Sequence, residues 1–310
     1  MSRFSCWLGV ALGGVLAISL SQPALACACG CGVFDVGTTS MFPTAAGGMA
    51  YLGYDYQNQN QDWAGSSKAP AVDNADKRIT TSFVTAGVQY MFNRDWGVNV
   101  EVPVWNRTLL TDNNWPAPPE ALQHYDEVGI GDVRIKAIYT GLSADMSTGL
   151  TLGVKLPTGN TSFFGDADSE IGAGATDVLP GFFQRGHFTS NLAWFVNGQA
   201  DVPVVSKQAY RPGAEADLAV GVHTNGWDFG KFGLVTPEFQ LVGAWRAADS
   251  GWQASPSDSG YRRLIASPGV EWDIDRTMVN FNVDLPVVVN TTGYQLVAFP
   301  LVKLTVGYMF

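Results

Sequence analysis

Beyond residue 45, apolar and polar positions alternate in twos over most of the chain. In "VNFNVDL", Val279, Phe281, Val283 and Leu285 share one face and Asn280, Asn282 and Asp284 the other. "GVNVEVPVW" sets Val98, Val100, Val102 and Val104 against Asn99 and Glu101, and "LTLGVKL" sets Leu150, Leu152, Val154 and Leu156 against Thr151, Gly153 and Lys155. "AEADLAVGVH" sets Ala216, Leu218, Val220 and Val222 against Glu215, Asp217 and His223. Strict alternation predicts strands with two unlike faces. About twelve such segments occur, over 46–57, 79–92, 96–106, 128–140, 148–157, 174–187, 190–203, 213–223, 231–246, 260–273, 276–288 and 294–310.

The connections alternate too. "NQDWAGSSKAPAVDNADK", "TLLTDNNWPAPPEALQHYDE" and "NTSFFGDADSEIGAG" are long, whereas "NRDW", "LSADMS" and "DIDR" are short. Long outer loops and short periplasmic turns are the pattern of an outer-membrane barrel. An even strand count puts both ends of the barrel chain on the periplasmic side; ten or fourteen strands fit the same pattern. A soluble sandwich also alternates, but these segments of 10–14 residues suit tilted membrane-spanning strands better. The final "LTVGYMF" alternates down to Tyr308 and Phe310. A terminal aromatic on an alternating strand resembles the assembly signal of bacterial outer-membrane proteins, which makes the barrel assembly machinery and outer-membrane lipid expected partners. The fold expected is all-β: an antiparallel up-and-down transmembrane barrel of about twelve strands over 46–310. Tyr51, Tyr54, Tyr56, Tyr90, Phe92, Trp96, Trp194, Trp245, Trp272, Tyr308 and Phe310, at or near segment ends, are expected to form its interfacial girdles.

Composition sharpens this. Charged residues are 15%, well below the usual quarter. The net charge of −10 argues against a nucleic-acid partner, which would need basic patches. Residues 1–26 read as a signal peptide: Arg3, the apolar "WLGVALGGVLAISL", then Ala24-Leu25-Ala26 as the cleavage site. Residues 27–45 are then a Cys/Gly-rich periplasmic segment. Its Cys27, Cys29 and Cys31 are spaced to suit a soft ion, Cu(I) or Zn(II). A Cys27–Cys31 disulfide and lipidation of Cys27 are the alternatives, and the C-x-x-C-H of c-type haem is absent.

"GIGDVRIKAIY" (129–139) and "LTLGVKLPTGN" (150–160) resemble consecutive strands of the outer-membrane transporter-like family of the MetA pathway of phenol degradation. The matching positions are Gly129, Gly131 and Asp132, then Leu156, Pro157, Thr158 and Gly159, and "ATDVLPGFF" (175–183) resembles that family's next strand. The resemblance implies a closed barrel that passes small, often hydrophobic compounds.

Polar-face charges are the candidate lumen residues: Asp55, Glu101, Asp132, Asp177, Asp201, Glu215, Asp217, Glu238, Glu271 and Asp284, with Arg134, Lys136, Lys155, Arg246, Arg263 and Lys303. They line a narrow pore, or pair across it and plug it. An excess of acids favours cations or neutral solutes. Pro103, Pro157, Pro180, Pro203, Pro237, Pro268, Pro286 and Pro300 mark strand ends, or breaks that open lateral gaps in the wall. His124, in "HYDE" on an expected outer loop, His187 and His223 belong to no catalytic constellation, and G-x-S-x-G and H-E-x-x-H are absent. The function expected is therefore an outer-membrane channel for small solutes, hydrophobic or aromatic ones included, and not an enzyme. A metal-related barrel using the cysteines, or a structural or adhesive one, is the alternative.

Overall fold

The computed structural model describes residues 41–112, 122–161, 170–206, 210–251 and 254–310. Within them the chain forms a closed antiparallel barrel of twelve strands. These are β1 (Gly47–Ala64), β2 (Asp76–Met91), β3 (Trp96–Thr111), β4 (Gln123–Ile130 continued by Val133–Tyr139), β5 (Thr148–Leu156) and β6 (Ala175–Thr189). They are followed by β7 (Leu192–Ser206), β8 (Glu215–Thr224), β9 (Leu234–Arg246), β10 (Tyr261–Ile274), β11 (Thr277–Thr291) and β12 (Tyr294–Met309). Each strand pairs with its sequence neighbours, and β1 pairs with β12 from Met49↔Met309 to Ala64↔Tyr294. That last ladder removes both sheet edges, the condition for a sheet to exist in lipid. Phe310 completes it: its backbone exchanges hydrogen bonds with Gly48 at 2.8 and 2.9 Å. Its ring lies over Gly48, where a Cβ would meet it at 2.4 Å.

The faces follow the predicted alternation. Leu52, Val84, Val104, Leu152, Leu218, Leu241 and Val306 are exposed around the outside, whereas Glu101, Asp177, Gln240, Asn282 and Lys303 are buried within. The outer apolar surface has the character of the lipid-facing band of membrane barrels. Tyr90, Phe92, Trp96, Trp272, Tyr308 and Phe310 are exposed where strands meet the short turns. Tyr51 corrects the girdle expectation: it is buried in the lumen, lies over Gly87 and donates to Glu101 at 2.9 Å. His124 corrects another, since it lies in the outer part of β4 and not in a loop.

Two irregularities shape the wall. First, β4 breaks at Gly131-Asp132, opposite Pro103 of β3, which has no N–H to give the ladder. The outer part of β4 pairs with β3 alone, while the inner part pairs with both β3 and β5. Second, the β11–β12 ladder runs from Thr277↔Tyr308 only to Asp284↔Leu301. Beyond it β11 bulges next to Pro286, and β12 continues from Pro300 along β1 instead. Pro203 also stands at a register shift, between β6 and β7. Pro103, Pro203, Pro286 and Pro300 thus mark irregular pairing, whereas Pro237 and Pro268 stand in the continuous β9–β10 ladder, and beside Pro286 and Pro300 the pairing of β11 with β12 stops.

Candidate functional site

The lumen is layered along the barrel axis. Nearest the short turns, inward-facing Met91, Ile138, Phe183, Phe195, Ala219 and Val242 form an apolar cluster. Phe42, from the segment before β1, sits among them, with ring centroids 5.2 Å from Phe183 and 5.8 Å from Phe195. The Met41 carbonyl accepts from Gln89 Nε2 at 3.0 Å, which fixes the segment to the wall. This end of the lumen is therefore filled by a side chain that belongs to no strand.

Further toward the long loops stands a belt of charge. Lys155 Nζ bridges Asp177 and Asp201, the latter at 2.7 Å, and Lys136 Nζ meets Glu101 at 2.9 Å. β5 and β6 run antiparallel with Lys155 opposite Asp177, so the first of these pairs comes directly from strand register, and Asp201 joins it from β7. Asp177 is almost fully buried, and a bridging ammonium is what such a carboxylate needs to remain charged out of water. Asp55, Arg134, Glu215 and Asp217 line the same space, a cavity of about 130 Å³. That volume holds a few waters and falls below the several hundred Å³ of a pocket for a drug-sized molecule.

Beyond the belt, the outer connection between β5 and β6 turns inward. Ile171 is fully buried against Phe83 and Trp105, whose rings meet edge to face at 4.6 Å. Arg107, also fully buried, donates to the Glu170 carbonyl at 2.9 Å and to Thr81 Oγ1 at 3.2 Å, and stacks 4.9 Å from the Trp105 ring. Asp132 holds the two limbs of this turn together, accepting from Gly159 N at 2.9 Å and Ala173 N at 2.7 Å. Thr158 Oγ1 ties the same limb to the break in β4: it donates to the Gly131 carbonyl at 2.8 Å and accepts from Val133 N at 2.9 Å. Gly159 and Gly172 touch backbone to backbone, where a Cβ on Gly159 would lie 2.5 Å from Gly172 Cα. The Gly131-Asp132 and Thr158-Gly159 motifs are thus two halves of one latch.

The other candidates divide accordingly. Asp55, Glu101, Arg134, Lys136, Lys155, Glu215 and Asp217 surround the central cavity, with Arg246 at its outer edge. Arg246 donates to Asp249 at 2.7 Å, and Arg263 packs 3.7 Å from the Tyr261 ring. Glu238, Glu271 and Asp284 are each buried on the β9–β11 wall, and Lys303 stands between Asn282 and Asp55 in the register. Asp132 lines the cavity but serves the latch. Cys27, Cys29 and Cys31 and the expected signal peptide lie outside the described residues, where among those described no group of three or more His, Cys, Asp or Glu could hold a metal ion. Sequence reasoning missed Phe42, Phe183, Phe195 and Ile171. The signal for Phe183 and Phe195 was an apolar residue at a lumen position, as with Phe183 two pairs along from Gln199↔Gly181, whereas Phe42 and Ile171 lie outside the strands and carry none.

No family model and no curated protein matches the chain. Among solved structures, an outer membrane channel from Pseudomonas putida F1 matches with a TM-score of 0.65 at 12% identity, covering 88% of this chain and 100% of that one. The monoaromatic hydrocarbon channel CymD matches at 0.45 and 12% identity over 89% and 94%. A FadL homologue of Pseudomonas aeruginosa matches at 0.45 and 10% identity over 84% and 90%. The fold is shared with the outer membrane channel of Pseudomonas putida F1. With closure, belt and alternation all present, the chain is an outer-membrane β-barrel.

Proposed function

We propose that this barrel is a channel for small apolar or aromatic solutes and releases them sideways through its wall. The observation that carries the reading is the window between β11 and β12. The ladder beneath it, Thr277 to Asp284, spans about 24 Å along the strand and, at ordinary barrel tilt, about 18 Å of height. The apolar band of such barrels is about 25 Å tall, so the window opens at the level of the outer leaflet. Val287, Val288 and Phe299 are exposed at its rim. Behind it Leu296 packs on Ile79 and Leu109.

The axial path supports the same reading. Phe42 fills one end, Ile171 narrows the other, and paired charges stand between them. A water-soluble solute meets two apolar obstructions, whereas an apolar one finds aromatic surface and a way out before the charged belt. The resemblance to the transporter-like family of the MetA pathway points to the same solutes.

Uptake decides it. Cells making the barrel should take up a radiolabelled monoaromatic hydrocarbon faster than cells without it, while uptake of a sugar stays equal. Pro286→Val, which restores a ladder donor at the rim, should slow hydrocarbon uptake. Equal hydrocarbon uptake with and without the barrel would leave it a structural or adhesive protein.

A further inference from the structure

The chain has seven methionines, and the six after Met1 all lie at one end of the barrel. Met41 precedes β1, Met146 lies in the turn between β4 and β5, and Met49, Met91, Met278 and Met309 stand at strand ends on the side of the short turns. The apolar clusters of the outer half, Ile79 with Leu109 and Leu296, and Phe83 with Trp105 and Ile171, contain none. Filling space in this lumen therefore does not require a thioether, and the concentration of sulfur at the periplasmic mouth calls for another reason.

Four of the six converge. Met41, Met49 and Met278 form one buried cluster with Tyr51, and half-buried Met309 packs on it. Strand register explains the meeting. Met49 lies directly across from Met309 in the β1–β12 ladder, and Met278 directly across from Gly307 in the β11–β12 ladder. Paired side chains have Cβ atoms about 4.5–5.5 Å apart and diagonal ones about 7–8 Å, within reach of a long side chain. Gly307 is the saddle between β1 and β11: a Cβ there would stand 3.1 Å from Met49 Sδ and 3.2 Å from Met278 Cε. Thioethers from the strands on either side of β12 thus close over one bare backbone position. Gln89 Nε2 donates to the Met41 carbonyl at 3.0 Å and holds the fourth residue in place. A thioether is neutral, soft and carries no proton. Such sulfur selects Cu(I) over hard ions, and its affinity does not fall in acid as that of a thiolate or imidazole does. The unbranched side chain, with three rotatable bonds, lets each sulfur turn onto an ion without moving the wall.

We propose that Met41, Met49, Met278 and Met309 form a binding site for a soft monovalent cation, Cu(I), at the periplasmic mouth of the barrel. Half-buried Met309 is its entrance. The site is separate from Cys27, Cys29 and Cys31 and does not depend on the channel reading. The test uses the full chain in detergent with those three cysteines changed to serine, and radioactive Ag⁺ as a redox-inert stand-in for Cu(I). Neutral sulfurs hold the ion less tightly than thiolates do, so it is read by equilibrium dialysis without a chelator, in chloride-free buffer. A single Ag⁺ per barrel should be retained equally at pH 7 and pH 5, and should be displaced by Cu(I) but not by Zn(II). Met49→Leu/Met278→Leu keeps the packed volume and should lower retention several-fold, with heat-modifiable migration confirming a folded barrel. Met91→Leu/Met146→Leu, in the neighbouring apolar cluster, should leave retention unchanged. Retention unaffected by Met49→Leu/Met278→Leu, or lowered equally by both pairs, would overturn the site. Loss of Ag⁺ at pH 5 would also overturn it, since the ligands would then be groups that take up protons.

Discussion

Replacing Asp132 tests whether the inward turn between β5 and β6 is held by a latch. The carboxylate accepts from Gly159 N and Ala173 N at 2.9 and 2.7 Å and is buried. Hydrogen bonds to a charged group contribute about 1.5–3 kcal/mol each. Asp132→Ala removes both, so docking of the turn should weaken by about 3 kcal/mol even at the low end of that range. Since each 1.4 kcal/mol is tenfold, the undocked population should rise roughly a hundredfold. Asp132→Asn keeps one acceptor and turns an amide N–H toward a backbone N–H, so it should cost about half as much. Ladder pairing in the rest of the barrel is untouched. Hydrogen exchange at Gly172, whose amide donates to the Asn160 carbonyl at 2.9 Å, and at Ala173 should accelerate in the order wild type, Asn, Ala. Hydrocarbon uptake should rise in the same order as Ile171 leaves Phe83 and Trp105. Unchanged protection at both amides in Asp132→Ala would refute the latch. Faster exchange with unchanged uptake would refute Ile171 as a constriction.

Lys155→Met should destabilise the barrel to urea by about 3–5 kcal/mol, because it leaves Asp177 and Asp201 buried without their cation, and Asp177→Asn added to it should restore part of the loss. Deleting Phe310 removes the backbone exchange with Gly48 and the ring above it, and should cut the amount of heat-modifiable barrel in the outer membrane; unchanged levels would show that closure does not depend on that residue. For Cys27, Cys29 and Cys31 we propose Cu(I) as ligand on thiolate chemistry: Cu(I) titrated against a chelator should be taken up by the wild type and not by the triple Cys→Ser variant, and equal uptake would leave the cysteines a structural role.

The barrel was legible because lipid and water impose one pattern on every strand. Outer faces such as Leu150, Leu152 and Val154 must be apolar and their neighbours need not be, so period two survives across the chain. Strand limits were less legible. β1 continues past residue 57 to Ala64, because "NQNQDWA" has no apolar alternation yet keeps pairing with β12 above the membrane band, where neither face needs to be greasy. The outer part of β4 reads as loop for the same reason: "QHYDE" lacks apolar alternation, and only its ladder with β3 makes it strand.

The interior was legible as charge but not as arrangement, and the reason lies in where each contact originates. Lys155 and Asp177 face one another through a ladder between adjacent strands, so register alone could have paired them. Ile171 reaches Phe83 and Trp105 through a connection folded back into the lumen, a contact between residues some seventy to ninety positions apart that no periodicity encodes. Phe42 reaches Phe183 and Phe195 across the whole barrel width in the same way. The clue lay in what the alternation failed to do: Phe183, Phe195, Ile138 and Met91 are apolar at positions where a water-filled pore would carry polar side chains. An apolar residue on the lumen face needs an apolar partner, and in a barrel the strands are already committed to their neighbours. The partner must therefore come from a segment outside the wall, from a terminus or an inward loop. Here it comes from both, and these are the two places where the axial path narrows.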